Sequence, residues 1–374
     1  MGCSILWNLA RMGMSGSVVI ERGSLGSGST SRTMGILRMH YSNEVTTRMA
    51  WDSLKVLQQF EDVVGGPSGY VRTGYLLIAG EGDRPALEAN VAMQKTAGVD
   101  TQIMGPEQVA ETYPMVSLGE DEVCAHEPES GYADSHSVTQ GYARRARDMG
   151  ARVITETAVE GVEVRGGRVT GVVTESGTIA TPVAVVAAGP WSRPFLGKLG
   201  VHVPLETVRH QVVSLNRPVD RLPGHPTIGD LANDLSARPD GRDMTLVGVG
   251  EEERVGPDSY DQGVDMEVVQ DTWARLATRI PGLEDAEYRG GWSGLFTTTP
   301  DWHPILGPVE GIEGLYCAVG FSGHGFKLAP MIGVAMAEII TRGRASTIDV
   351  SMLGLDRFKT GKPMTSRYGM AVLA

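Results

Sequence analysis

The sequence predicts an α/β chain in which a Rossmann-like, dinucleotide-binding body is interleaved with an α+β portion built on a mainly antiparallel sheet. Three stretches carry this: the opening MGCSILWNLARMGMSGSVVIERG, the apolar run VAVVAAGPWS, and GLYCAVGFSGHGFKLAP near the end. The opening puts Ile5, Leu6, Leu9 and Met12 on one face of a helix, then Gly13, then a strand over 17–20 that ends in Glu21. That order is the back half of a dinucleotide-binding βαβ unit.

The remaining elements follow in order. After Glu21 comes the glycine-rich loop RGSLGSGSTSRTMG, then a helix from about Asn43 on which Val45, Met49, Leu57 and Phe60 recur near helical spacing. A strand, GYLLIAG, is expected at 74–80, with helices near 84–97 and 136–149, the latter closing at Gly150. In VEGVEVRGGRVTGVVTESGTI, the Gly166-Gly167 pair between alternating β-branched residues predicts a hairpin. VAVVAAGPWS reads as a buried strand feeding a turn. Residues 209–285 are more antiparallel in character, with RHQVVSL and MTLVGVG as strands and a helix near 266–279. The last elements are a strand, a glycine-rich loop and an amphipathic helix closing at Gly343.

The composition narrows the function. With 374 residues, 41% hydrophobic and 21% charged, the chain is long enough to bury a large core in two domains or one mixed body. A formal charge of −12 without any cationic block argues against a nucleic-acid partner. No apolar run approaches the roughly 18 residues of a membrane span, and no secretory signal is visible. Cys3, Cys124 and Cys317 have neither CxxC spacing nor an even framework, which excludes a disulfide scaffold and a zinc site and fits a reducing, cytoplasmic setting.

An acidic residue at the tip of a second strand accepts hydrogen bonds from a ribose diol in Rossmann units, and Glu21 stands there; an acid after any surface strand is also commonplace. The later motifs make the pattern specific. MGCSILWNLARMG with VVIERG, GSGSTSRTMGILRMHY, ESGYADSHSVTQGYARRARDMGARV, VAVVAAGPWS, and TTTPDWHPILGP leading to GFSGHGFKLAP occur in one order along essentially the whole chain. Together they resemble the FAD-dependent amine oxidoreductases of the D-amino-acid oxidase superfamily, nearest in pattern to monomeric sarcosine oxidases and sarcosine oxidase β-subunit-like proteins.

The resemblance implies FAD, with the adenine ribose on Glu21, backbone contact to adenine near Val159, and the pyrophosphate flanked by Gly2, Ala188 and Gly189. It implies further contacts from Arg22, Ser27, Ser29, Thr30 and Trp191. Gly320, Ser322, Gly323, Gly325 and Phe326 would meet the flavin where a loop opens a helix. There, unpaired N–H groups and a positive dipole end suit the negative N1–C2=O edge of reduced flavin. The implied division is a discontinuous FAD-binding domain over 1–80, 136–208 and 286–374 and a substrate domain over 81–135 and 209–285. Only the third glycine of the GxGxxG fingerprint, Gly2, is present. Met1 is therefore expected to be an internal methionine, with an apolar strand and a GxG turn about 10 to 25 residues long encoded upstream; the alternative is a genuine short start in a protein that has given up FAD.

Arg38 in GILRMHY and Lys327 in GHGFK match, by the same resemblance, the pair that grips the substrate carboxylate. Arg offers a planar fork and Lys a point charge, and a surface cation or a structural ion pair is the alternative for each. His324 either polarises the flavin and guides the amine or is a loop histidine satisfied by backbone. Cys317, inside LYCAV, reads as a core thiol. GLFTTTPD carries Gly294 and no thiol, and STSRT carries no histidine, so the resemblance implies noncovalent FAD. No lysine occurs between Lys198 and Lys327, where monomeric sarcosine oxidases present one to stabilise superoxide. An electron-acceptor protein or quinone therefore competes with oxygen.

The resulting expectation is oxidation of a small secondary or N-methyl amino acid, sarcosine-like, by hydride transfer to FAD, with the imine then hydrolysed. No metal is required. A noncatalytic or FAD-less scaffold subunit of a larger oxidoreductase complex is the rival. An NAD-dependent dehydrogenase would account for the first βα unit but not for GFSGHGFK.

Overall fold

The computed structural model describes residues 1–249 and 253–369. Among the described residues its strands form five sheets; Ile36–Leu37 and Val71–Arg72 flank Gly131–Tyr132 in one, and the other four fall into two regions. In the first, Val18–Ile20 pairs in parallel with Arg152–Ile154, and Ala184–Val186 pairs in parallel with Leu315–Val319, which takes Ile305–Pro308 antiparallel on its other side. A three-stranded meander, Val159–Arg165, Arg168–Thr174 and Gly177–Ala180, turns at Gly166 and Gly167. Both have positive φ, 57° and 77°, which only glycine adopts without strain.

The first helix, Gly2–Arg11, buries Cys3 through Ala10 rather than the single face that its spacing predicts. Helices Ser135–Asp148 and Gly325–Arg342 both pack against it. Where it crosses the last helix, Ser4 Oγ donates to the Ala329 carbonyl at 2.7 Å. A Cβ on Gly333 would collide there with Ser4 Oγ and stand 2.6 Å from Asn8 Nδ2. Gly333→Ala is therefore expected to cost about 1–3 kcal/mol by overpacking; an unchanged urea midpoint would show that the two helices separate freely.

Helix boundaries follow local chemistry. Asn43 caps Glu44–Gln58 by accepting from Thr46 N at 2.8 Å, Asp134 caps Ser135–Asp148 through Ser137 N at 2.6 Å, and Gly343 ends the last helix in the left-handed region, φ 78°. Helices Arg84–Thr96 and Met266–Arg279 lie where the periodicity places them.

The second region is a nine-stranded sheet. Glu206–Asn216 pairs with Met244–Val249 and Glu253–Arg254 and, from end to end, with Glu287–Thr298. The order continues through Leu235–Asp240, Thr227–Asp230, Tyr75–Ala79, Val123–Glu127 and Gln102–Met104. Among the described residues, only the pairing of Tyr75–Ala79 with Thr227–Asp230 is parallel in this sheet. Gly250, the last residue of the expected MTLVGVG strand, lies outside the described residues.

Sheet membership differs from the expected partition at two places. Tyr75–Ala79 and Glu287–Thr298 belong to the large sheet, whereas boundaries at 80 and 286 assign them to the dinucleotide-binding body. An apolar strand pattern specifies a strand but not its partner, and both partners here are distant in sequence.

A buried ion pair fastens the end of the chain. Arg357 Nε and Nη2 donate to the two oxygens of Asp301 at 2.7 and 2.9 Å, and the Met364 amide donates to the same carboxylate at 2.9 Å. Among the described residues, no helix is long and apolar enough to cross a membrane, and no cluster of three or more His, Cys, Asp or Glu has metal-binding geometry.

Candidate functional site

Strand Leu315–Val319 runs into the loop that opens the last helix. Gly320 has φ 71°, and a Cβ there would stand 2.5 Å from Thr299 Cγ2 and 2.8 Å from Leu205 Cδ2. Ser322 and Gly323 also have positive φ, 45° and 81°, and Ser322 N donates to the Thr297 carbonyl at 2.9 Å. The helix Gly325–Arg342 begins without a side-chain cap, so its first-turn amides point outward with the positive end of the dipole.

Lys327 sits in that first turn, 9% exposed. It has no hydrogen-bond or ion-pair partner among the described residues. Burial first, and the Arg38 charge second, pull its pKa well below the ordinary lysine value. Arg38 is itself buried; its guanidinium lies 4.4 Å over the Tyr41 ring and donates to the His40 carbonyl. Tyr41 meets the fully buried His324 edge-on at 5.2 Å, and its hydroxyl has no hydrogen-bond partner among the described residues. Burial raises that hydroxyl's pKa to about 12. Tyr41 thus lies between Arg38 and His324, and Lys327 is near enough to feel the Arg38 charge.

The backbone that carries Arg38 is pinned from behind. Met39 N donates to Glu127 Oε2 at 2.9 Å, Ser130 Oγ donates to the same oxygen at 2.7 Å, and Gln94 Nε2 donates to Oε1 at 2.7 Å. Glu127 is fully buried, and burial pushes its pKa up against those hydrogen bonds and the Arg38 charge.

A second group surrounds a cavity of about 240 Å³ lined by Arg22, Ser27, Ser29 and Trp191. The Arg22 guanidinium lies 4.5 Å over the Trp191 ring, and Asp258 Oδ1 accepts from Trp191 Nε1 at 2.8 Å and from Arg22 Nη1 at 3.4 Å. Ser29 Oγ donates to the Leu295 carbonyl and Ser135 Oγ to the Thr30 carbonyl, each at 2.7 Å, so these groups also hold the loop in place. Ala188 and Gly189 (φ 52°) form the turn that leads to Trp191, and a Cβ on Gly189 would meet nothing within 4 Å.

The third group lies at the end of the first parallel ladder. Glu21 N donates to the Ile154 carbonyl at 2.8 Å and Thr157 N to the Glu21 carbonyl at 3.0 Å, while Glu21 Oε1 accepts from Gly23 N at 2.9 Å. Val159 begins the next strand, and the Cβ position of Gly2 is 3.7 Å from Val19 Cγ2. One strand joins the first two groups: Glu287–Thr298 accepts Ser29 Oγ at Leu295 and Ser322 N at Thr297. Phe326 stands 3.7 Å from the Cβ position of Gly35, on the Arg38 side.

Sequence reasoning missed Tyr41, Glu127, Asp258 and His210. Tyr41 was the most accessible, three residues after Arg38 in RMHY. His210 is partly buried and stacks on Phe296 at 4.4 Å and 16°. Cys317 is buried, and burial raises its thiol pKa to about 12, as for a core residue.

A model of the DAO family, FAD dependent oxidoreductase, matches residues 1–339. Human mitochondrial sarcosine dehydrogenase is 28% identical over 357 residues, covering 92% of this chain and 39% of that protein. The chain therefore spans about two fifths of that relative's length. Sarcosine oxidase subunit beta of Arthrobacter sp is 29% identical over 374 residues, covering 97% of this chain and 89% of that one. The crystal structure of L-proline dehydrogenase from P. horikoshii has a TM-score of 0.88 and 27% identity, covering 97% of this chain and 96% of that one. A strand-end acid, uncapped helix starts and a buried cation pair thus occur in a chain whose sequence and fold are both accounted for: it belongs to the DAO family of FAD dependent oxidoreductases.

Proposed function

We propose that the chain oxidises a small secondary or N-methyl amino acid, sarcosine-like, with FAD held noncovalently. The observation that carries this is Lys327, a buried amine with no hydrogen-bond or ion-pair partner among the described residues, close enough to the buried guanidinium of Arg38 for that charge to lower its pKa. An anion bound beside Lys327 would favour its charged form, and a carboxylate offers two oxygens that suit a guanidinium fork and a point charge together. Sarcosine and proline, named in the relatives, are both secondary amino acids.

The residues present also fit a flavin dinucleotide. Glu21 offers an acceptor at the ladder end, and the helix starts at Gly2, Gly189 and Gly325 have no side-chain caps. When bound, FAD supplies the acceptor for the hydride lost from carbon next to nitrogen. Arg38 and Lys327 orient the substrate by its carboxylate, Tyr41 and His324 exclude water beside them, and Glu127 holds the backbone of Arg38 in place. Noncovalent attachment is supported by the three cysteines, all buried. Family membership removes the nicotinamide alternative.

Anaerobic addition of an N-methyl amino acid to the flavin-loaded protein should bleach its visible spectrum. A flavin that no amino acid bleaches would overturn the reading in favour of a scaffold subunit.

The electron acceptor is expected to be a protein or quinone. The substrate-facing sheet lacks a lysine, and its Arg238 is engaged by Asp240 at 2.7 Å and by the Met34 and Pro239 carbonyls. In stopped-flow reoxidation, a quinone or dye should outpace air-saturated buffer by about tenfold or more. Equal rates would restore an oxidase.

A further inference from the structure

His210 lies on Glu206–Asn216 opposite Gly294, on a face whose direction can be followed. Strand residues alternate between faces. Trp292 Nε1 donates to the Arg32 carbonyl at 2.9 Å, and a Cβ on Gly294 would stand 3.0 Å from Arg32 Cβ. Trp292, Gly294, Phe296 and the paired His210 therefore look toward the loop that leads through Met34 to Arg38.

Room for the imidazole is made by the neighbouring strand. A Cβ on Gly248 would stand 2.8 Å from His210 Nε2 and 3.4 Å from Met34 Cε, so a side chain there would displace the ring or the thioether. Stacking on Phe296 sets the plane of the ring. Met34 adjoins Gly35, whose Cβ position is 3.7 Å from Phe326 Cε1, and Phe326 precedes Lys327. His210 thus stands across Met34 from the helix turn that carries the cation.

Its hydrogen bonding differs from that of the buried His225 and His303, each bonded through both ring nitrogens, and from that of His40 and His126, each bonded through Nε2 with Nδ1 left without a partner among the described residues. His225 meets the Pro226 carbonyl and Thr245 Oγ1 at 2.8 and 2.9 Å, and His303 meets the Asp301 carbonyl and Asn43 Nδ2 at 2.6 and 2.7 Å. Neither nitrogen of His210 has a partner among the described residues. Burial lowers its pKa to about 4, so the ring is neutral at pH 7 and one nitrogen is an acceptor.

Resting on the amino-acid reading above, we propose that His210 is the specificity-determining residue at the nitrogen end of the substrate, accepting a hydrogen bond from its N–H while Arg38 and Lys327 hold the carboxylate. Two cations at one end repel an ammonium, so the other end needs a neutral acceptor. The role selects carboxylates that carry an N–H two bonds from the carboxyl carbon.

Calorimetric titration of the FAD-loaded protein with pyrrole-2-carboxylate and furan-2-carboxylate tests this without turnover, because the rings match in shape and only the first has an N–H. The wild type should prefer the pyrrole acid by about tenfold. His210→Phe, which keeps the stack, should reduce that preference to about threefold or less and leave the furan acid unchanged. His210→Asn, a smaller residue that keeps an acceptor, should retain part of it and covers the case in which the Phe protein does not fold. A preference that survives in His210→Phe, or is absent from the wild type, overturns the assignment. Failure of amino acids to bleach the wild-type flavin, with the pyrrole preference intact, would instead count against the proposed reaction.

Discussion

Replacing Lys327 with methionine is expected to raise KM for the amino acid by about tenfold to a hundredfold, with flavin content unchanged. Methionine fills similar space without charge, so the carboxylate loses one charge-assisted contact and keeps Arg38. The same change should stabilise the ligand-free protein, because it removes a buried amine whose protonation burial and the Arg38 charge oppose. The pH dependence has a definite sign. A lysine whose folded pKa lies below its unfolded value leaves the unfolded chain binding more protons between the two, so wild-type stability rises with pH across that window. The variant should lack that rise. Unchanged kinetics with flavin retained would remove Lys327 from the substrate site.

Arg357→Ala is expected to destabilise the protein by about 3–5 kcal/mol, because it leaves the Asp301 carboxylate buried and unpaired. Arg357 and Asp301 side chains are 4% and 1% exposed, and the guanidinium also donates to the His303 and Leu353 carbonyls at 2.8 and 2.9 Å. Burial pushes the Asp301 pKa up, but the Arg357 contact and charge and the Met364 and His303 amides outweigh it and hold the carboxyl below its ordinary value. That contribution is present above the unfolded carboxylate pKa and is lost as pH falls through the lower folded value. Urea denaturation of the variant should show the loss at pH 7 and a shallower decline toward acid. A loss of about 1 kcal/mol or less would mean that water reaches the pair.

Sequence reading located elements where chemistry is local. Asn43, Asp134 and Gly343 bound helices through contacts within a few residues, and the Gly166-Gly167 turn needs only its own φ angles. It also proposed Arg38, His324 and Lys327 together, from two motifs far apart. The strands Thr227–Asp230 and Leu235–Asp240 were not legible, because TIGD and LSARPD lack β-branched alternation. Pairing on both sides makes them strands, and Pro239 is tolerated because it lies beyond the last residue paired with Thr227–Asp230. Glu127 and His210 were missed for a related reason. Their surroundings come from other strands, and a single acid or histidine within an apolar stretch does not reveal what it faces.

The parallel ladders also set a timetable for folding. Val18–Ile20 waits for Arg152–Ile154, Tyr75–Ala79 for Thr227–Asp230, and Ala184–Val186 for Leu315–Val319. Each pairing closes a long loop before any contact rewards it, the condition that slows folding most. The last of these strands leads directly into Gly325–Arg342, the helix that packs on Gly2–Arg11, so that helix pairing also waits for a partner far along the sequence. Until that pairing forms, the apolar residues of Gly2–Arg11 that face the later helix lack their cover, the condition under which a folding intermediate is prone to aggregate.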